Sequence, residues 1–170
     1  MADSGTVDGA MDQDAIRAFI SATYPGVDIV IGSKEAGSPE LAWGDTFFVY
    51  DPDRILQGNK QFPFATMVTK DYGEFDNASN LNRPGVFRLN IGLSKETYNR
   101  FVGSGAEHDY TALDQVMPHP VYGQYHWVCI LNPSDATFRD RVTTLLQEAY
   151  DRAVERYARG ARTVADRPSS

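Results

Sequence analysis

From residue 138 to residue 157 the apolar side chains fall on one side of a helix. Phe138, Val142, Leu145, Leu146, Ala149, Ala153 and Tyr157 keep three- and four-residue spacing over about five turns. A stripe that long needs an apolar surface of similar length to cover it. The segments before it supply a surface of another kind. Residues 27–31, 46–50, 64–69, 86–91 and 126–132 are short, rich in β-branched and aromatic residues, and read as strands. In 86–91 the strand period sends Phe87, Leu89 and Ile91 to one face and Val86, Arg88 and Asn90 to the other. An apolar sheet face meeting an amphipathic helix defines an α+β fold. Sequential strands with short connections favour antiparallel pairing. The expectation is an antiparallel sheet of about five strands, backed by an N-terminal helix and the long C-terminal one.

End signals fix the other helices. Asp12 is placed to cap a first helix over 12–23, whose stripe is Ile16, Phe19, Ile20 and Thr23, with Met11 and Ile16 forming a hydrophobic staple. Pro25-Gly26 ends it. Ser94 caps a short helix carrying Tyr98, Phe101 and Val102 and closed by Gly103. Thr111-Ala112-Leu113-Asp114 resembles a capping box and predicts a second short helix ending before Pro118. Ser134, followed by Asp135, caps the last helix. Residues 11–159 form one domain, between a disordered extension at 1–10 and a disordered tail at 160–170.

The charge balance narrows the partners. Sixteen basic against 23 acidic residues leave a formal charge of -7, which makes nucleic acid and anionic membranes poor partners. No apolar run is long enough to span a membrane, and the first residues lack the basic and apolar parts of a signal peptide. The expected location is the cytoplasm. The single cysteine, Cys129, sits among apolar neighbours and reads as a small buried hydrophobe. Phosphate-loop, nucleophile-elbow and zinc signatures are absent, so neither a cofactor nor a metal is expected.

Several stretches carry a resemblance. Residues 63–68 (Pro63-Phe64-Ala65-Thr66-Met67-Val68), 83–92 (Arg83-Pro84-Gly85-Val86 onward), His119-Pro120-Val121-Tyr122, His126-Trp127-Val128 and Leu131-Asn132-Pro133 are similar to an actinobacterial family of domains of unknown function. That family is in turn distantly similar to the YjbR-like, or MmcQ-like, small α+β proteins. The resemblance spans roughly residues 12–157. It implies an antiparallel sheet backed by helices, an association with antibiotic gene clusters, and a suggested DNA-binding role. It implies no agreed catalytic residues.

Three constellations could carry chemistry. Arg88 and Asn90 stand about 7 Å apart on one face of a strand. They could anchor a carboxylate or phosphate, or Arg88 could pair with a neighbouring carboxylate. The segment 119–127 holds His119, Tyr122, Tyr125, His126 and Trp127 within nine residues, and Pro118 and Pro120 restrain His119. His119 could instead cap the helix before it, with Trp127 in the core. Asp45, Asp51 and Asp53 flank one strand; Asp45 stands too far from Asp51 to pair with it, and Asp51 and Asp53 read as turn formers. The arginines of the C-terminal segment alternate with acids and read as a solvated helical face.

The leading expectation is a small-molecule-binding domain with its site on the open sheet face. There Arg88 holds an anion, Asn90 orients it, and Tyr122, Tyr125 or Trp127 stack on it, with sequestration of a toxic metabolite as one version. One alternative is an enzyme using His119 or His126 for acid/base chemistry, and the other is a DNA-binding module. The last strand is apolar on both sides, which allows either a covered second face or a homodimer contact.

Overall fold

The structure, a computed structural model, describes residues 10–56, 61–102 and 107–165. Asp12 accepts the Ala15 N–H at 2.8 Å and starts α1 (Gln13–Thr23), and Met11 packs against the core as the staple requires. The strands are β1 (Val27–Ile31), β2 (Thr46–Tyr50), β3 (Ala65–Val68), β4 (Arg88–Gly92), β5 (Met117–Pro118) and β6 (Trp127–Leu131). They form one antiparallel sheet in the order β1-β2-β3-β4-β6-β5. Between β4 and β5 lies α2 (Lys95–Val102), whose Thr97 N–H bonds Ser94 Oγ. After β6, Ser134 caps α3 (Asp135–Thr137), one wide π turn follows over Phe138–Val142, and α4 runs over Thr143–Ala165.

The two faces of the sheet are buried by different means. On one, Phe48, Met67, Leu89, Ile91, Val128 and Ile130 meet Ile16 and Ile20 of α1 and Leu145, Leu146 and Ala149 of α4. On the other, Val68, Cys129, Leu131 and Met117 meet Leu81 of the β3–β4 connection, with Tyr72 and Tyr110 beside them. Both sides of β6 are therefore covered within the chain. Cys129 is buried there, and desolvation pushes its thiol up to about 12.

A turn at Arg83-Pro84-Gly85-Val86 delivers β4. Proline presets the second residue, Gly85 takes the left-handed conformation at φ 74°, and Val86 N–H bonds the Arg83 carbonyl at 3.3 Å. The turn takes the Val86 N–H and the Asn132 side chain takes the Phe87 N–H at 2.9 Å, so β4 opens at Arg88 and not at residue 86.

Four further expectations change. Residues 111–114 form no helix, because the Asp109 carboxylate takes both the Thr111 N–H (3.0 Å) and its hydroxyl (2.6 Å), closing a local turn in place of a helical start. Asp114 instead lies left-handed at φ 61° and accepts the Ser134 N–H. A two-residue strand, β5, adds a sixth to the sheet. His126 precedes β6 in a left-handed turn at φ 72°. The expected tail begins at Gly160, yet α4 continues to Ala165, and residues 166–170 lie outside the described residues. So do Gly103 and the extension over 1–9, while Ala10 bridges to Ser134.

No helix among the described residues is long and apolar enough to cross a membrane. Leu146 is fully buried between sheet and helices, so Leu146→Ala should lower stability by about 2–5 kcal/mol through transfer and cavity terms. Loss of the Ser134 cap in Ser134→Ala should cost about 1 kcal/mol. Urea denaturation of both variants checks the ranking, and equal losses would contradict it.

Candidate functional site

Strand register assembles the site. Antiparallel partners share a face, so the pairs Val68–Arg88, Thr66–Asn90 and Gly92–Trp127 put Arg88, Asn90, Thr66 and Trp127 on the side away from α1 and α4. This face is not open. The connections over 69–87 and 107–126 fold across it and leave Arg88 1% and Asn90 3% exposed.

Burying a guanidinium is costly unless its charge and its N–H groups are satisfied. Arg88 has its charge matched and four of its five N–H groups bonded to acceptors. Nη1 and Nη2 donate to Asp76 Oδ1 (3.0 Å) and Oδ2 (2.5 Å), a bidentate pair. Nη1 also donates to Ser79 Oγ at 2.9 Å, and Nε to Asn90 Oδ1 at 2.8 Å. The remaining Nη2 hydrogen faces His119 Nε2 at 3.1 Å. Arg88 is thus the partner of a buried carboxylate supplied by the β3–β4 connection, and its charge is already matched. The anion-holding role expected of it is not available in this arrangement.

Asp45 anchors that connection. Its buried carboxylate accepts the Thr69 N–H and hydroxyl and the Tyr72 phenol. Burial, then the bond to Asp45, raises the Tyr72 phenol well above its ordinary value. Sequence reasoning named Asp45 only as a residue flanking a strand, and it missed Asp76 and Ser79. The only signal was a polar stretch between two strands, and spacing alone does not aim it at Arg88.

His119 is the most constrained group. No helix precedes it to be capped. Instead its Nδ1 accepts the N–H groups of Val121 (3.0 Å) and Tyr122 (2.9 Å), closing the turn that follows. Desolvation, then the Arg88 charge, hold its pKa down to about 3 despite Asp76, so the ring is neutral near neutrality. A neutral imidazole has one accepting nitrogen, and the turn uses it. The ring proton therefore sits on Nε2, where it meets Arg88 Nη2 donor to donor. The Thr66 hydroxyl accepts from Asn90 Nδ2 at 3.0 Å, which leaves its own hydrogen. Among the described residues neither the His119 Nε2–H nor the Thr66 O–H has a protein acceptor within hydrogen-bond distance, and Asp76 Oδ2 stands 3.9 Å from Nε2.

Both groups line a cavity of about 390 Å³. Its floor is Thr66, Asp76, Arg88, Asn90 and His119, and its walls are aromatic: Phe47, Phe62, Tyr72, Phe75, Tyr122 and Trp127. Trp127 lies flat across Gly92, where an added Cβ would stand 2.9 Å from the indole. Tyr122 packs against His119 with the rings tilted by 42° and their centroids 5.0 Å apart. The structure therefore brings together Arg88, Asn90, His119, Tyr122 and Trp127. It separates two others. His126 packs edge-on to Tyr98 of α2, and Tyr125, 64% exposed, lies outside the cavity's lining. A shallower hollow of about 500 Å³ beside α2 shares His119 but not Arg88 or Asp76. No group of three or more potential metal ligands occurs among the described residues.

A family model described as a family of unknown function, DUF6194, matches residues 11–162, and the chain belongs to that family. No curated protein and no solved structure matches it.

Two measurements test this geometry. Asp76→Ala leaves a buried guanidinium unpaired and should cost roughly 3–5 kcal/mol. His119 is unprotonated in the folded chain above about pH 3 but takes a proton below about 6.5 when unfolded. Between those values the unfolded state binds the extra proton, so stability falls as pH falls. From pH 6.5 to 5 this group should remove roughly 1 to 2 kcal/mol. In His119→Asn, whose Oδ1 can still accept from the turn, that part of the slope should vanish. Urea denaturation over a pH series reads both, and an unchanged slope would sink the assignment.

Proposed function

We propose that this DUF6194 chain is a cytoplasmic small-molecule-binding domain of actinobacterial type, distantly related to the YjbR-like proteins and serving secondary metabolism or self-resistance. One observation carries the binding reading. A half-open cavity of about 390 Å³ combines aromatic walls with hydrogen-bond donors that the protein leaves unused. Such a site suits a flat molecule that stacks on the rings and offers acceptor atoms, such as a carbonyl oxygen or a ring nitrogen, to His119 Nε2–H and Thr66 O–H.

The chemistry of the lining favours binding over acid/base catalysis. His119 is a weak base with a pKa near 3, and the Tyr72 phenol is a weaker acid than usual, so neither exchanges protons readily near neutrality. The DNA-binding alternative needs an accessible cation on this face, and Arg88 is enclosed and paired.

The test uses 2-naphthamide, a flat ring system bearing one carbonyl. It should bind the full-length chain one to one and quench tryptophan fluorescence through Trp127. Thr66→Phe, which fills the floor, should reduce that affinity at least tenfold in a variant that still unfolds cooperatively in urea, at a lower midpoint because buried Asn90 loses its acceptor. Equal affinity in parent and variant would place the probe elsewhere and overturn the reading.

A further inference from the structure

A second hollow, of about 370 Å³, lies where the start of β3, the end of β4 and the start of β6 meet α4. Phe62, Pro63, Tyr122 and Trp127 line both hollows, so the two adjoin along these side chains. The far side of the second is formed by Tyr125 and by Arg152 and Arg156 of α4. These arginines are four residues apart and share one helical face.

Their surroundings differ from those of Arg139, in the π turn before α4, and of Arg159 on α4. Arg139 and Arg159 stand within 3.8 and 3.7 Å of Asp135 and Glu155. Among the described residues neither Arg152 nor Arg156 forms an ion pair. Glu148, one turn before Arg152, is turned away to Ser94 and Thr97 of α2. Arg156 instead lies over the Phe62 ring, 5.2 Å from its centroid. Burial, then the charges of Arg152 and Arg159, lower its pKa. Like charges at this spacing destabilise a helix, and the chain has acidic residues to spare. Two unmatched guanidinium groups beside an aromatic wall are what an anionic group on a flat ligand would need.

We infer that Arg152 and Arg156 form the anion-binding end of the ligand site. The ligand is then a flat aromatic or conjugated acid, with its ring system held by Phe62, Tyr122 and Trp127 and its acidic group on the two guanidinium groups. This assignment rests on the binding reading above and moves the anion from Arg88, which Asp76 neutralises, to α4. It also reconciles an anionic ligand with an acidic protein, because the positive potential is local and short-ranged.

The experiment compares 2-naphthoate with its neutral isostere 2-naphthamide on the full-length chain by calorimetry, at low and high salt. The acid should bind about tenfold more tightly than the amide at low salt, with the margin shrinking at high salt. The double variant Arg152→Gln/Arg156→Gln should lose that preference and keep its affinity for the amide. Arg139→Gln, in the π turn before α4 and outside the hollow, should keep both. If the two probes bind the parent equally, or the preference survives in the double variant, the arginine assignment is overturned and the cavity reading stands. If neither probe binds the parent, both are overturned.

Discussion

The buried pair of Arg88 and Asp76 is the constraint around which the loop-covered face is organised. A guanidinium at the centre of a sheet cannot stay there without a counter-charge, and the nearest strands supply none. The β3–β4 connection supplies it, and to do so it must fold back over the sheet. Asp45 ties the connection down at Thr69 and Tyr72, and Arg83 holds its far end by donating to the carbonyls of Ser79, Asn80 and Thr111. Ser79, Asn90 and His119 then take up the remaining guanidinium hydrogens or face them. Pairs of this kind add little net stability against a well-packed apolar replacement, but they penalise any arrangement that separates the partners. Here the pair places a polar floor under the aromatic walls.

The two faces of the sheet accordingly do different work. The helix side is a conventional apolar interior in which α1 and α4 interdigitate with alternate strand residues. The loop side is a mixed surface, apolar toward β5 and polar toward β3, with the cavity left where the covering segments do not close. His119 sits at the boundary, with its backbone and Nδ1 committed to the turn before β6 and only Nε2 turned inward. A ring held so tightly, and kept neutral by burial beside a cation, is suited to donating a hydrogen bond and poorly suited to carrying protons.

Much of the scaffold was legible in the residues. Asp12, Ser94 and Ser134 cap where local chemistry said they would, since a side chain accepting from an N–H three residues ahead needs no tertiary partner. The alternation in β4 correctly divided Leu89 and Ile91 from Arg88 and Asn90. The helix expected at 111–114 failed because Asp109, just outside the capping-box pattern, reached the same hydroxyl first. The arginines of α4 looked alike in the sequence, yet Glu148 faces α2 and leaves Arg152 and Arg156 beside aromatic rings.

The sequence by itself determined most of the periodic parts: the five longer strands, where α1, α2 and the C-terminal helix begin, and which side of β4 meets the apolar core. These follow from spacings of two to four residues and from local hydrogen bonds, which act before distant parts of the chain meet. Only the tertiary structure decided the pairing of charges and the shape of the cavity. Asp76 meets Arg88 across 12 residues, and His119 meets it across 31. Contacts that distant are set by loop paths and by the cost of leaving any buried donor unmatched. That cost depends on every neighbour at once, and no single stretch of sequence records it.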